Sequence, residues 1–444
     1  MSILNAAEDI IRLIKAHGVE GEVVLKEYES RKLTNRLLKP EEMIQKRGKQ
    51  IGIRVVDGKR HSCLSSNDLE SVSELVDAAV KMASLSPEDP FICLSEETGS
   101  HIDSGKDLML YDDSHVDVEH IRDILVEMEE EALAVDARIV NSEGAHFSQL
   151  SSQTILMTTK GFCGSYRKSS FSSCVSVVAS DNNRKMEVDY SFSVKSHFND
   201  IEKAKVLGRE AADRALRRLN AREIKTCKIP IVFENRVASS LLSNFASAIN
   251  GNSIADRTSF LAKNLGSRLF GDNVSIIDDP VMPRGISSAP FDGEGIISKK
   301  KDIVQDGVLQ SWILDMRTSK QLSLLTTGNA SRSDNASVFP TVSNFYIPGS
   351  ETPVKDLISD IKNGLYVTDL FGFGINFATG DYSQGAFGFM IENGDITYPV
   401  NGVTIAGNMR DMFSSMQPAD DLLFFGSINS PTLRFNDMVV SGTD

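Results

Sequence analysis

Residues 372–413, GFGINFATGDYSQGAFGFMIENGDITYPVNGVTIAGNMRDMF, are dense in glycines and aromatics separated by short apolar runs and tight Asn-Gly or Gly-Asp turns. No helical pattern follows the glycine clusters, so they read as strands in which glycine marks a bulge or a close approach of backbones. A chain that carries such a stretch late in its length is committed to a β-rich second half. The stretch also has no histidine: all seven lie at or before His197. Whatever site it builds has no imidazole of its own for a metal or for base catalysis.

The rest of the chain sets the organisation. At 444 residues it exceeds one ordinary core, which predicts two domains or three. The first eighteen residues space Ile3, Leu4, Ile10, Ile11, Leu13 and Ile14 as an amphipathic helix, with charges interspersed as in no signal peptide. Strand-like residues 22–65 follow, with a hairpin turn at Asp57-Gly58-Lys59. A helix is predicted from a cap at Asn67 to residue 85, and a second from about 116 to 135 with Glu127, Glu129, Glu130 and Glu131 on its outer face. Alternation over 138–193 predicts β-ribbon, then a helix from 201 to 219. The fold class is α+β: an N-terminal α/β domain of β-ribbons and helices over 1–222, and a C-terminal β-rich, barrel-like or layered domain over 223–444.

Charge and cysteine content narrow the function. The balance of 61 acids against 47 bases, net −14, disfavours direct nucleic-acid binding. The most basic stretch, Arg217, Arg218, Arg222 and Lys225, reads as a solvated helix end. No apolar run is long enough to span a membrane, and five cysteines without a C-x-x-C read as reduced thiols, so a cytoplasmic protein is expected. No G-x-S-x-G elbow and no phosphate-binding G-x-x-x-x-G-K-[ST] occurs. The acids Asp278, Asp279, Asp292 and Glu294 sit in Gly/Pro turns, where capping of backbone amides is the first reading and a carboxylate-based hydrolase the outside one. For the glycines, addition of an extended peptide to a sheet edge and plain barrel turns are equal alternatives.

Several motifs together resemble the TldD/PmbA family, in its PmbA (TldE) branch. They are Gly380-Asp-Tyr-Ser-Gln-Gly-Ala, Ile391-Glu-Asn-Gly, Tyr398-Pro-Val, Ile405-Ala-Gly-Asn-Met, Phe291-Asp-Gly-Glu-Gly, Asp306-Gly-Val-Leu and Thr327-Gly-Asn-Ala, with Gly52-Ile-Arg-Val and Pro87-Glu-Asp-Pro in the first half. The resemblance implies a metallopeptidase complex acting on unfolded peptides, in which a TldD-like paralogue brings an H-E-x-x-x-H helix and a C-terminal cysteine. At the matching positions this chain has Ser243, Asn244 and Ala248, and residues 424–435 contain no cysteine. Serine, asparagine and alanine cannot make a tetrahedral zinc site or a carboxylate base. The resemblance thus implies a subunit with no catalytic residue, metal or cofactor of its own, the metal (zinc) belonging to the partner. Whether the chain counts as an enzyme stays open on that reading. Its share of a peptide cleft is expected at Gly380, Asp381, Tyr382, Ser383, Gly385, Gly388, Glu392, Ala406, Gly407 and Asn408. The partner is expected to be the TldD-like paralogue. The alternative is a second copy of this chain, in a metal-free homodimeric peptide-binding scaffold or holdase.

Overall fold

The computed structural model describes residues 3–103, 105–181, 185–333, 336–372 and 374–442, so Phe373 of the glycine-rich stretch lies outside the described residues. The first half is one sheet built mainly from long antiparallel strands, β1 (Glu20–Arg36), β2 (Lys39–Asp57), β3 (Arg60–Ser66), β4 (Ile139–Thr158), β5 (Phe162–Ser180) and β6 (Met186–Lys195), in the order β3-β2-β1-β4-β5-β6, with a seventh short strand, Gly99–His101, parallel to the start of β5. Side chains alternate across a strand, so the register decides which residues face which layer. Odd-numbered Val23, Leu25, Ile53, Phe147, Phe171 and Val175 turn to the helices. Helices α1 (Ile3–Ala16) and α2 (Val72–Leu85) cover the β1–β3 end, while α3 (Val118–Leu133) and α4 (Ala204–Arg218) cover the β4–β6 end. The even-numbered face, with Glu22, Lys26 and Arg54, is left for the second half of the chain.

Two local expectations fail for physical reasons. The second helix is not capped by Asn67. Asp68 forms the turn instead, accepting from the Glu70 amide and the Ser71 hydroxyl, and α2 starts after Ser71. Glu129 is not on the outer face of α3 either; it is fully buried. Its two oxygens accept the Leu37 and Leu38 amides at 2.9 and 2.8 Å. Leu37 and Leu38 form the β1–β2 turn with φ of 50° and 64°, a left-handed conformation that non-glycine residues resist. A buried carboxylate holding both amides offsets that strain.

The second half closes into a barrel. Strands β7 (Cys227–Phe233), β8 (Asn363–Phe371), β9 (Asp381–Glu392), β10 (Asp395–Asn408) and β11 (Leu433–Ser441) pair in the order β10-β9-β8-β7-β11. The Thr404–Ser441, Ile405–Val440 and Ala406–Val439 pairs then return β11 to β10. Helix α5 (Asn235–Ala248) packs its apolar side into the barrel core. There Phe245 meets Phe270, Phe413 and Phe345 at ring distances of 5.3, 5.4 and 6.4 Å. Short strands and short helices, among them α6 (Met316–Leu322) and α7 (Met409–Ser415), complete this half. The glycine-rich stretch thus ends in a short helix that its turns did not announce.

Of the basic stretch at the end of α4, Arg217, Arg222 and Lys225 are exposed as at a solvated helix end, while Arg218 is drawn inward. Arg218 joins Asp189 of β6 to Asp369 of β8 at 3.2 and 3.1 Å and lies 4.0 Å over the Phe387 ring. Arg217 and Arg222 lie over Phe389 and Tyr398. Arg218 thus ties the first half to the barrel by ion pairs and a cation–π contact, and the exposed Arg217 and Arg222 add cation–π contacts of their own. Among the described residues no helix is long and apolar enough to cross a membrane. Replacing Glu129 with Ala is expected to destabilise the chain by about 1–3 kcal/mol, with loss of hydrogen-exchange protection at Leu37 and Leu38. Unchanged protection at those amides would disprove the role given to Glu129.

Candidate functional site

The two halves meet where the even-numbered sheet face receives loops of the second half. Glycine makes the approach possible: a Cβ on Gly52 would lie 2.7 Å from the Ala336 Cβ, and one on Gly164 would lie 2.5 Å from the Phe291 ring. Beside them Arg54 of β2 binds Glu22 of β1 at 2.5 Å and Glu294 at 3.0 Å, and Arg332 binds Glu22 from the other side. All four side chains are buried. Glu294 also accepts the Met316 amide at 2.9 Å at the start of α6. Two motifs far apart in the chain, Gly52-Ile-Arg-Val and Phe291-Asp-Gly-Glu-Gly, are therefore two sides of one contact.

Burial alone would raise Glu22, but the Arg332 and Arg54 charges overcome it and hold its carboxyl below the ordinary value. Glu294 has a share of only one arginine. Burial pushes it up to about 7 against the pull of Arg54. Asp292 is raised to about 6 by burial, although it accepts the amides of Glu294, Ile296 and Ala330. Asp278 accepts from Asn329 at 2.7 Å and from the Ser343 amide and hydroxyl, with Lys301 at 3.2 Å. Asp279 accepts the Val281 amide. The four acids are engaged in holding loops, which is the capping reading of them.

The residues of the glycine-rich hairpin separate into three groups. At one end Asp381 is exposed, and the Thr379 hydroxyl and the Asn408 amide at 2.7 and 3.1 Å hold its carboxyl below the ordinary value. Asn408 also caps α7 by accepting the Arg410 amide. Gly380 (φ +84°) supplies the turn beneath them, against the Phe260 ring. Ser383, Ala406 and Gly407 belong to this end, since Ser383 pairs with Ala406 and Tyr382 with Gly407. Tyr382 itself is buried, its hydroxyl donating to Gln384 at 3.0 Å, and burial pushes its phenol up.

Gly385 and Gly388 form the middle group. The backbone of β9 there is hydrogen-bonded to β8 on one side and β10 on the other. Ser383 and Asn376 pair the remaining edge with the 374–376 loop. Around Gly385 and Gly388 the chain itself thus occupies both sides of β9, while the outer edge of β10 is paired to β11 at residues 404–406 and bridged to Arg222 at Val400. The glycines serve that closure: a Cβ on Gly388 would lie 2.2 Å from the Tyr366 carbonyl oxygen, and one on Gly385 would lie 2.2 Å from the half-exposed Phe371 ring. Glu392 stands alone at the far end of β9 beside Asp395, roughly 35 Å from Asp381 at about 3.3 Å per residue.

The positions matched to the metal motif lie on α5. Ser243 and Asn244 are half-buried on its polar side with Ser240 and Ser247. Ala248 is fully buried, its carbonyl accepting the Ser259 hydroxyl at 2.6 Å. The neighbouring Phe260 packs on Gly380 and offers its carbonyl to Arg410, which links this end of α5 to the Asp381–Asn408 group. The tail strand Ile428–Asn429, where the family cysteine would lie close by, packs on α5 as well. The fold thus brings helix and tail together as a metal site would need. The residues it brings are a hydroxyl, a carboxamide and a methyl, which do not fit a zinc ion. No group of three or more His, Cys, Asp and Glu stands together in metal-binding fashion among the described residues.

Two concavities are also present, the second lined in part by residues of the Phe291-Asp-Gly-Glu-Gly and Thr327-Gly-Asn-Ala motifs. One, of about 610 Å³, lies on the helix side of the first sheet, where Arg167 stacks 3.6 Å over the Tyr111 ring. The other, of about 390 Å³, lies between the halves and is lined by Lys26, Tyr166, Lys168, Asp292 and Arg332 among others. Strand alternation at Tyr166 and Lys168 places both on one face, but nothing in the sequence says that loops of the second half will roof them.

The fold is a helix-covered antiparallel sheet locked face-on to a small closed barrel, an α+β peptidase-like architecture. Profiles of the PmbA/TldA metallopeptidase domain 1, central domain and C-terminal domain match residues 21–83, 111–219 and 226–442. The chain belongs to the PmbA/TldD metallopeptidase family. It is 32% identical over 441 residues to the metalloprotease PmbA homolog of Haemophilus influenzae, covering 99% of this chain and 96% of that protein. It is 31% identical over 397 residues to metalloprotease PmbA of Escherichia coli O157:H7, covering 88% and 85%. Among solved structures, a protein of Bacteroides thetaiotaomicron described as a modulator of DNA gyrase superposes with a TM-score of 0.90 at 23% identity, covering 99% and 98%. TldE from Thermococcus kodakarensis superposes with a TM-score of 0.85 at 19% identity, covering 98% and 100%. At these identities the two structures speak for the fold alone.

The Glu294 shift has a signed consequence. A carboxyl raised from 4.5 in the unfolded chain to about 7 in the folded one contributes stability that is complete below the lower value and lost as pH rises through the upper. Glu22 runs the opposite way, its contribution being lost only as pH falls through the acid range. Between about pH 5.5 and about pH 8 the wild-type chain is therefore expected to lose about 2 kcal/mol through Glu294, a loss that Glu294→Gln should remove. Parallel pH–stability curves for the two proteins in chemical denaturation would rule this out.

Proposed function

We propose that this chain is a PmbA/TldE-type subunit of a TldD/TldE-like metallopeptidase complex that acts on unfolded peptides. In this reading it has no metal of its own and contributes part of the wall of a peptide cleft completed by a TldD-like partner. The observation that carries the proposal is the pairing of α5 with the tail. A helix and a tail segment lie against each other in a family of metallopeptidases, with Ser243, Asn244 and Ala248 at the helix positions and no cysteine in the tail. A chain under selection for its own hydrolysis would need ligands and a base there. A chain needed for shape alone would keep the packing and lose the ligands.

The exposed Asp381, with Ser383 and Asn408 around it, is the polar group best placed on this side to bind a peptide's amide groups or its amino terminus. It reaches α5 through Phe260. Glu392 is too distant to share that task. Since β9 is paired on both sides around its glycines, peptide contact at that strand would come from side chains rather than from strand addition. A cytoplasmic setting is part of the proposal.

The test is cleavage of an unstructured peptide by the chain alone, and then with a TldD-like relative carrying H-E-x-x-x-H. Turnover is expected only in the mixture, at least about ten-fold above the relative alone, and a stable heteromeric complex should elute on gel filtration. Chelator-sensitive cleavage by the chain alone would refute the proposal, as would a mixture no faster than the relative by itself.

A further inference from the structure

The cavity between the halves holds positive charge that the chain leaves uncompensated. Register places Lys26 beside Thr154 and Thr154 beside Tyr166, with Lys168 one step further along the same face. Both lysines are half-buried and line the cavity. Lys168 Nζ donates to the Ser288 carbonyl at 3.2 Å, and neither lysine is in an ion pair among the described residues. The other charges at the cavity are engaged elsewhere. Arg332 is taken up by Glu22 and the Gly293 carbonyl. Asp292 uses its oxygens on three backbone amides.

Burial, with the like charge of Lys26 nearby, lowers the Lys168 ammonium to about 8. In a chain of net charge −14, two lysines without counter-ions in a cavity are an unusual arrangement. Desolvating an ammonium is unfavourable unless an anion comes to it. The volume of about 390 Å³ suits a ligand the size of one or two amino-acid residues. The lining comes from strands and loops, with no helix start among its residues. A doubly charged phosphate would therefore lack the convergent amides and free guanidinium groups that it usually finds. A singly charged carboxylate needs only the two ammonium groups and a few hydroxyls, and those of Ser298 and Ser331 line the same space.

We propose that this cavity is a carboxylate-binding site, with the ligand's carboxylate held between Lys26 and Lys168. The carboxylate can come from a free small acid or from the carboxy-terminal residue of a peptide. The second source rests on the peptide-cleft reading above; the site itself does not.

The experiment is calorimetric titration of the full-length chain with four probes: N-acetyl-alanine, its amide, and an unstructured decapeptide ending either in a free carboxylate or in an amide. Both acids are expected to bind, with each amide at least about ten-fold weaker. Lys168→Met and Lys26→Met should each weaken acid binding by a similar factor while keeping the wild-type unfolding midpoint. Loss of acid binding in a variant that also unfolds early is resolved by Lys168→Arg, which keeps the charge and should restore binding. If N-acetyl-alanine binds and the decapeptide acid does not, the site stands and its ligand is a free small acid. Equal affinity for acids and amides, absence of binding by both acids, or full affinity in both Met variants would overturn the proposal. No cleavage is read, so the result does not depend on whether the partner-subunit reading survives.

Discussion

The arrangement depends on a charge cluster sealed between the two halves. Glu22 and Arg54 come from adjacent strands of the first sheet, while Glu294 and Arg332 come from loops of the second half. With Glu294 ionised the two acids and two bases balance, yet each ion has been taken out of water. Such groups contribute little net stability but strongly penalise any arrangement in which one partner is missing. The cluster therefore selects one docking geometry rather than adding much binding energy. Gly52 and Gly164 permit the close approach that seals it, and Arg218 repeats the device at the other end of the contact with Asp189 and Asp369. The cavity containing Lys26 and Lys168 exists because the halves are held at this separation.

The barrel imposes a second constraint. Closure of β11 onto β10 at residues 404–406 places β9 inside the sheet, with β8 and β10 on its two sides. Gly388 must be glycine because the Tyr366 carbonyl lies where its Cβ would be, whereas a side chain at Gly385 would have to displace the half-exposed Phe371 ring. Features that read as openness to a ligand thus serve the barrel's own packing. The more polar surfaces are the Asp381 end of the hairpin, the serine-rich side of α5, and the cavity between the halves.

How much of this was legible in the sequence depends on the range of the signal. Helix α1, the ribbons and α4 follow from local periodicity, and the barrel-like character of the second half follows from its glycines and turns. The Asp57–Lys59 turn lies where its residues place it, with Gly58 at φ +62°. Polar residues that serve partners distant in the chain misled. Glu129 reads as a solvated acid until the Leu37–Leu38 turn arrives above it, and Arg218 as a solvated base until β6 and β8 do. Likewise Gly52-Ile-Arg-Val and Phe291-Asp-Gly-Glu-Gly are each recognisable, but their pairing through Arg54 and Glu294 is a fact of topology. At the candidate site, where the assignment of a metal motif to α5 belongs to the proposed function, the residue types at Ser243, Asn244 and Ala248 could be read directly. The burial of Tyr382 and the isolation of Glu392 could not, because both depend on where β9 sits in the closed barrel.

The central claim is that the α5 and tail site is built without the means to hold a metal. Its most direct measurement is the zinc content of the purified chain after equilibrium dialysis against micromolar zinc and removal of free ion. The account expects well below one equivalent per chain, unchanged by Ser243→Ala or Asn244→Ala. One tightly retained equivalent, lost in either of those variants, would contradict it.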